Sequence, residues 1–199
     1  AIKIGMVNDT DTIHAIAETL AKYKGKYQYL IIDPVMVSTS GSRLMQEDAL
    51  YTFVKELLPL ATLLTPNIPE AEILAGIKIQ NADDIKAAAA AISQLGCKYV
   101  LIKGGHFTGT EKIDYLFEDG KQKTSYRGIS IDTRNTHGTG CTLSSAITSY
   151  LAREFDMNTA IAMAKTYLSG AILAGKGVNI GEGHGPVNHF YEPKSLFIK

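Results

Sequence analysis

Residues 61–76 read ATLLTPNIPEAEILAG, and how this stretch folds decides the class of the whole chain. Ala61-Thr62-Leu63-Leu64 is a short apolar run of strand type, stopped by Pro66, which cannot donate to a sheet ladder. Pro69 suits the first turn of a helix, where a missing N–H costs nothing, and Gly76 supplies the stop. A buried strand that passes directly into a helix is half of a β-α-β unit, so the pattern should recur along the chain.

It recurs on both sides. Ile2-Lys3-Ile4-Gly5-Met6-Val7 is β-like, Asn8-Asp9-Thr10 offers caps, and Ile13, Ile16, Ala17 and Leu20 keep helical spacing until Gly25. Tyr29-Leu30-Ile31-Ile32 is the next buried strand, followed by a turn-rich segment over 33–42 and a helix carrying Leu50, Phe53, Val54 and Leu57. Residues 81–95 form the clearest helix, with a run of alanines from Ala87 to Ala91. Lys98-Tyr99-Val100-Leu101-Ile102 is a further strand that ends in Lys103-Gly104-Gly105-His106, and Asp119-Gly120 joins two β-like runs as a hairpin. One helix follows Gly140, another starts near Asn158, and a glycine-rich tail closes the chain. The expected fold is therefore α/β, a mostly parallel central sheet with helices on both faces and right-handed crossovers, built as one domain over 1–199.

The chain has 199 residues, 45% hydrophobic and 20% charged, which suits a globular domain with one core. Twenty basic residues balance twenty acidic ones, so no excess positive field argues for nucleic acid or an anionic membrane, and a small-molecule partner is expected. No apolar run approaches the roughly 20 residues that cross a bilayer, and no secretory layout opens the sequence; the expected location is the cytoplasm. Cys97 and Cys141 are too few for a disulfide framework and lack metal-site spacing, which predicts reduced thiols.

Open parallel sheets bind ligands beyond the carboxyl ends of their strands, here at Asp33, Thr65-Pro66-Asn67 and Lys103-Gly104-Gly105. A second candidate region is Thr136–Ile147, THGTGCTLSSAI. Gly138-Thr139-Gly140 ahead of a helix offers amides without side-chain walls and the positive end of the helix dipole, which suits a phosphate; the same glycines also serve as a plain turn. Cys141 at the helix start is either a thiol whose thiolate the helix terminus favours, able to accept a proton, or a small hydrophobe packed under the helix. Cys97 lacks glycine-rich neighbours and reads as packing.

Asn67 and Glu70 put an amide and a carboxylate one turn apart, a pattern that suits hydrated Mg²⁺ beside phosphates and equally suits a helix start. Asp33 is open to reading as an outer-sphere magnesium partner or as a turn former before Pro34. Lys103 ends a buried strand as a cation for phosphate or as an ordinary surface lysine. His184 and His189 read as structural hydrogen-bonding residues, since no Cys or carboxylate lies near them at metal spacing.

Together, IKIGMV, IIDPVMVSTSG, LTPNIPEAEIL, LIKGGH, THGTGCTLSSAI and GHGPVNHF resemble, in order and over nearly the whole chain, the hydroxymethylpyrimidine/phosphomethylpyrimidine kinases of thiamine biosynthesis within the ribokinase-like superfamily. The resemblance implies an ATP- and Mg²⁺-dependent kinase acting on a hydroxymethylpyrimidine and on its monophosphate, working as a homodimer. It implies that Gly138, Thr139 and Gly140 form the anion hole and that Cys141 stands where related sugar kinases carry an aspartate base. Asn67 and Glu70 would match the superfamily's magnesium motif, with Asp33 holding metal or phosphate. Lys103, with Gly104 and Gly105, would face the nucleotide, and Met6 and Val35 would line the pyrimidine pocket. Family members begin with a further strand and helix carrying a Gly-Ser-Asp-Ser-type stretch and a glutamine; nothing here matches it, so an incomplete amino end is expected. Pyridoxal kinase of the same superfamily, some of whose members share Gly-Thr-Gly-Cys, is the alternative activity, and a non-catalytic nucleotide-binding module is the alternative class.

Overall fold

The structure, a computed structural model, describes residues 1–37, 44–105 and 111–195. Its centre is a six-stranded sheet with spatial order β1-β2-β3-β4-β5-β6: Ile2–Ile4, Leu30–Ile32, Leu63–Leu64, Tyr99–Gly105, Glu111–Glu118 and Lys121–Ile129. β1 to β4 pair in parallel, in registers such as Ile4 to Ile32 and Leu64 to Val100. β5 and β6 then run antiparallel, joined through Asp119 and Gly120, both with positive φ as a tight hairpin of matching twist demands. The alternation in the sequence thus yields the mostly parallel sheet it predicts.

Each parallel strand is laid beside the one before it, so right-handed crossovers bring the intervening helices to one face. These are α1 (Thr10–Lys22), α2 (Glu47–Thr52), α3 (Ile68–Ala75) and α4 (Ala82–Gln94). Ile13, Phe53, Leu57, Ile85 and Ile92 pack there against Leu30, Ile32, Leu64, Val100 and Ile102. The opposite face carries α5 (Thr139–Ala152) and α6 (Met157–Gly175), whose Leu143, Ile147, Leu151 and Ile161 cover Ile31, Leu63 and Leu101. Alternate residues of one strand therefore enter different cores, which is why β2 reads as an unbroken apolar run. Each fully buried Leu or Ile contributes about 1.5–3 kcal/mol.

Local signals act as the sequence suggests. Gly76 ends α3 in the left-handed conformation (φ 66°), and α4 opens on a reciprocal cap between Asn81 and Asp84. The helix expected through Leu50 and Leu57 departs from regularity: after Thr52 the chain widens into a π-type turn over Phe53–Leu57 and tightens into a 3₁₀ turn over Leu58–Leu60. Pro59 has no N–H to continue an α-helical ladder, and the change of pitch keeps Phe53, Leu57 and Leu58 all buried.

Candidate active site

The carboxyl ends of β2, β3 and β4 converge as expected. Asp33, immediately after β2, is 2% exposed. Its Oδ1 accepts from Lys103 Nζ at 2.9 Å and from Thr65 Oγ1 at 3.2 Å, and its Oδ2 lies 3.5 Å from Ser144 Oγ of α5, whose hydroxyl has the closer Gly140 carbonyl at 3.1 Å as acceptor. The Lys103 N–H donates to Pro66 O at 2.8 Å, so the peptide that follows β3 fixes the end of β4. Lys103 is therefore no ordinary surface lysine, and Asp33 does more than shape a turn.

A β-bulge sits at this point. The β4–β5 register shifts between Ile102 and Gly105, and Gly104 takes φ 74°. Its N–H donates to Asp114 Oδ1 at 2.7 Å, while Asp114 Oδ2 is paired with Lys165 of α6. Leu101 enters the core under α5 and α6, so strand alternation puts Lys103 on that same face, where it meets Asp33. His106 lies outside the described residues, as do residues 38–43 of the turn-rich segment.

The glycine-rich loop arrives from the opposite face. Gly138 adopts φ 83° and is the N-cap of α5, where it provides no side-chain cap, so the first turn keeps its positive end open to an anion. A Cβ placed on Gly140 would lie 3.4 Å from both Asp33 Oδ2 and Lys103 Nζ. The loop backbone at Gly140 thus rests directly on the ion pair, and Gly140, Lys103 and Asp33, scattered over the sequence, form one cluster.

Cys141, in the first turn of α5, is exposed and lines a cleft of about 680 Å³ with His137, Gly138, Thr142, Tyr167 and His189. Of its two sequence readings, packing under the helix is not the one realised. Cys97 behaves as expected for packing: it is buried, its thiol donates to Tyr99 O at 3.1 Å, and burial pushes its pKa up to about 12. Met6 and Val35 do not line the cleft around Cys141. Met6 leaves β1 with 59% of its surface exposed, and Val35 is half-buried beyond β2 with φ 33°, a strained value for a β-branched residue. The cleft runs along α5, whereas these two residues follow the ends of β1 and β2.

Asn67 and Glu70 open α3 as a capping box. Asn67 Oδ1 accepts from Glu70 N–H at 2.9 Å, and Glu70 Oε2 accepts from Asn67 N–H at 2.8 Å. Glu70 Oε1 also accepts from Met36 N–H at 3.2 Å. Burial raises the carboxyl of Glu70 above its usual range, an effect opposed by the charge of Lys103 and reinforced by that of Asp33. Two acidic side chains thus share the field of one ammonium. Among the described residues no group of three His, Cys, Asp or Glu forms a metal cage. The donor set fits a cation that keeps most of its water, as magnesium does.

The sequence named Thr65 only as part of a strand end and did not single out Asp114, Thr142 or Ser144; each has a partner far away in the chain. Ser and Thr in the first turns of α5 were the one visible signal. His184 Nδ1 lies 3.1 Å from Arg134 O and His189 Nε2 lies 2.9 Å from Thr142 Oγ1, consistent with hydrogen-bonding roles.

Comparison with known proteins agrees with this geometry. A family model described as phosphomethylpyrimidine kinase matches residues 1–188. The hydroxymethylpyrimidine/phosphomethylpyrimidine kinase of Rhizobium meliloti is 45% identical over 192 residues, spanning 96% of this chain and 71% of the relative. The crystal structure of phosphomethylpyrimidine kinase from Clostridium difficile superposes with TM-score 0.73 at 45% identity, over 86% of this chain and 68% of its own. Pyridoxal kinase from Staphylococcus aureus in complex with AMP-PCP and pyridoxal gives TM-score 0.79 at 31% identity, over 94% and 66%. With an ion pair seated under an open helix terminus at the rim of a mostly parallel sheet, and with these likenesses, the chain belongs to the phosphomethylpyrimidine kinase family of ribokinase-like phosphotransferases.

Proposed function

We propose that this protein transfers the γ-phosphoryl group of ATP to the hydroxymethyl oxygen of 4-amino-5-hydroxymethyl-2-methylpyrimidine, and then to the phosphate of the resulting monophosphate, in thiamine diphosphate biosynthesis. The observation that carries this reading is the contact of Gly140 with the Asp33–Lys103 pair, one residue before an exposed Cys141. Phosphoryl transfer needs alignment and charge neutralisation more than covalent help. The loop amides at Gly138, Thr139 and Gly140 and the start of α5 receive the migrating group. Lys103, held in place by Asp33, faces the nucleotide phosphates beside Gly104 and Gly105. Cys141 accepts the proton of the hydroxymethyl group as the new O–P bond forms and ADP leaves.

Asp33 and Glu70, with Asn67 at the same turn, would hold a hydrated Mg²⁺, which supplies neutralisation of the nucleotide's charge when bound. The likeness to the Staphylococcus aureus enzyme supports pyridoxal as a second acceptor. Met6 and Val35, which follow the ends of β1 and β2, would touch the acceptor ring.

Incubation of the full-length protein with ATP, Mg²⁺ and each alcohol, followed by ³¹P NMR, tests the reading. Phosphorylated hydroxymethylpyrimidine is expected, and turnover of pyridoxal alone replaces the proposed substrate. Binding of ATP without ADP production from any alcohol would support a nucleotide-binding module in its place. Cys141→Ala should lower kcat by about 10²–10⁴-fold while nucleotide affinity survives; an unchanged kcat removes Cys141 from the chemistry.

A further inference from the structure

We propose that His189 is a positioning residue for phosphoryl transfer, acting through Thr142 on the peptide that opens the anion loop. The inference rests on the kinase reading above and adds to it a part of the C-terminal tail.

The direction of each hydrogen bond follows from its atoms. Thr142 Oγ1 lies 2.8 Å from Gly138 O, and a carbonyl can only accept, so the hydroxyl spends its one proton there. The 2.9 Å contact between Thr142 Oγ1 and His189 Nε2 must then run from the imidazole to the hydroxyl. His189 Nε2–H donates to Thr142 Oγ1, and Thr142 Oγ1–H donates to the Gly138 carbonyl. Each bond polarises the next in the same sense.

The Gly138 carbonyl is the end of the chain that matters. It already accepts the helical bond from Thr142 N–H at 2.8 Å. Gly138 sits at φ 83° with open space around its α-carbon, so no side-chain contact at this residue holds the peptide in place. The peptide unit is planar, and the unit that carries Gly138 C=O also carries Thr139 N–H, which closes the turn on Thr136 O at 3.4 Å. Fixing the carbonyl by two bonds from Thr142 therefore fixes the tilt of the Thr139 amide and, through it, of the Gly140 amide that follows. Gly140 rests on Asp33 and Lys103, so a rotated loop plane would misplace the anion relative to the ammonium.

His189 is itself held from two sides. Its carbonyl accepts from Tyr167 Oη–H at 2.9 Å, and the neighbouring Asn188 N–H donates to Ala171 O at 3.0 Å, both on α6. Upstream, His137 N–H donates to Gly185 O at 3.1 Å, which ties the tail to the loop one residue before Gly138. Gly185 is required at that crossing, because a Cβ there would run into the buried side chain of Asn135. The side chain of His189 is nonetheless exposed on the cleft it shares with Cys141, so it can be changed without opening the core.

The test uses three substitutions in the full-length protein. His189→Phe keeps a ring and removes the donor, His189→Gln keeps an N–H donor, and Thr142→Val keeps the shape and removes the hydroxyl. His189→Phe and Thr142→Val should each lower kcat about tenfold with KM for both substrates within about twofold, and the double variant should lose no more than either single one, because they break one chain. His189→Gln should recover most of the rate. A His189→Phe kcat within twofold of wild type, losses that multiply, or equal losses for Gln and Phe overturn the proposal. A long-range ¹H–¹⁵N spectrum of the wild-type imidazoles supplies a readout that needs no turnover. Its expected result is His189 protonated on Nε2 with a resonance that moves in Thr142→Val; the Nδ1–H tautomer overturns the hydrogen-bond chain. Wild-type protein that phosphorylates neither alcohol but shows the Nε2–H tautomer refutes the kinase reading while leaving this chain standing.

Discussion

Lys103 and Asp33, 70 positions apart in sequence, meet at 2.9 Å, and the backbone of Gly140 lies against both, a Cβ built there standing 3.4 Å from each. The relationship joins three elements that share no local signal, and its consequences can be measured.

Gly140 and Gly138 should respond oppositely to alanine. Gly140 lies inside the first turn of α5 without a positive φ, and its new methyl would touch Asp33 and Lys103 at 3.4 Å, a contact the fold accommodates. Gly140→Ala should leave the melting temperature unchanged or raised, helix propensity adding at most about 1 kcal/mol. The methyl nevertheless occupies the seam between loop and ion pair, and kcat should drop by on the order of 10²-fold, the cost of misplacing reacting groups by about an ångström. Gly138→Ala meets no atom within 4 Å, but its φ of 83° costs an L-residue roughly 1–2 kcal/mol. Its deficit should therefore appear in urea unfolding as well as in turnover.

The two thiols should separate cleanly by reactivity. Cys141 opens on the cleft, whereas Cys97 is buried and its thiol is pushed up to about 12 by desolvation. Iodoacetamide at neutral pH should label Cys141 alone in the native protein, as peptide mass analysis would show, and both cysteines after unfolding. Prior incubation with ATP and Mg²⁺ should slow the labelling. Equal labelling of Cys97 in native protein would contradict the packing described for it.

Acid stability should depend on Glu118. Lys123 at 2.9 Å and the Tyr99 hydroxyl at 2.6 Å hold its carboxyl down from the usual 4.5 to about 2. A depressed carboxylate contributes stability that is present above its unfolded pKa and lost as pH falls through the folded one, so the window runs from about 4.5 down to about 2. Urea unfolding across that range should fall less steeply for Glu118→Gln than for wild type. The cluster is at the surface, and its contribution at neutral pH should shrink in high salt.

Lys165 and Asp114 form a pair with little solvent access that holds the bulge behind Lys103. Lys165→Met leaves a buried carboxylate without its cation and should cost on the order of 3 kcal/mol in urea unfolding. Adding Asp114→Asn removes the uncompensated charge while Oδ1 still accepts from Gly104 N–H, and the double variant should recover more than half of that loss. If it recovers nothing, the pair's packing and not its charge carries the stability.

Much of the fold was legible because it is local. Pro66, Pro69 and Gly76 bracket a strand and a helix, Asp119-Gly120 forces a hairpin, and Asn81 caps α4 through contacts three residues long. The irregular turns after Thr52 were less legible, since the period of Leu50, Phe53, Val54 and Leu57 fits a regular helix and only Pro59 argues otherwise. In the site, Gly138-Thr139-Gly140 and Cys141 could be read from loop and helix chemistry, and strand ends could be named as a ligand rim. Glu70 shows where such reading stops: the Asn67-x-x-Glu70 spacing fits a cap and a cation alike, and only the structure shows the capping box formed and its carboxylate buried in the field of Lys103 and Asp33.

Taken by itself, the order of residues determined which segments are strands, which are helices, and where glycine and proline must interrupt them, because those preferences arise from sterics and hydrogen bonds within a few positions. Only the tertiary structure decided that Lys103 would face Asp33, that Asp114 would hold the bulge at Gly104, and that His189 would reach Thr142 across 47 positions. Contacts of that span depend on sheet register and on which face each crossover covers, and burial of the two apolar cores selects both at once.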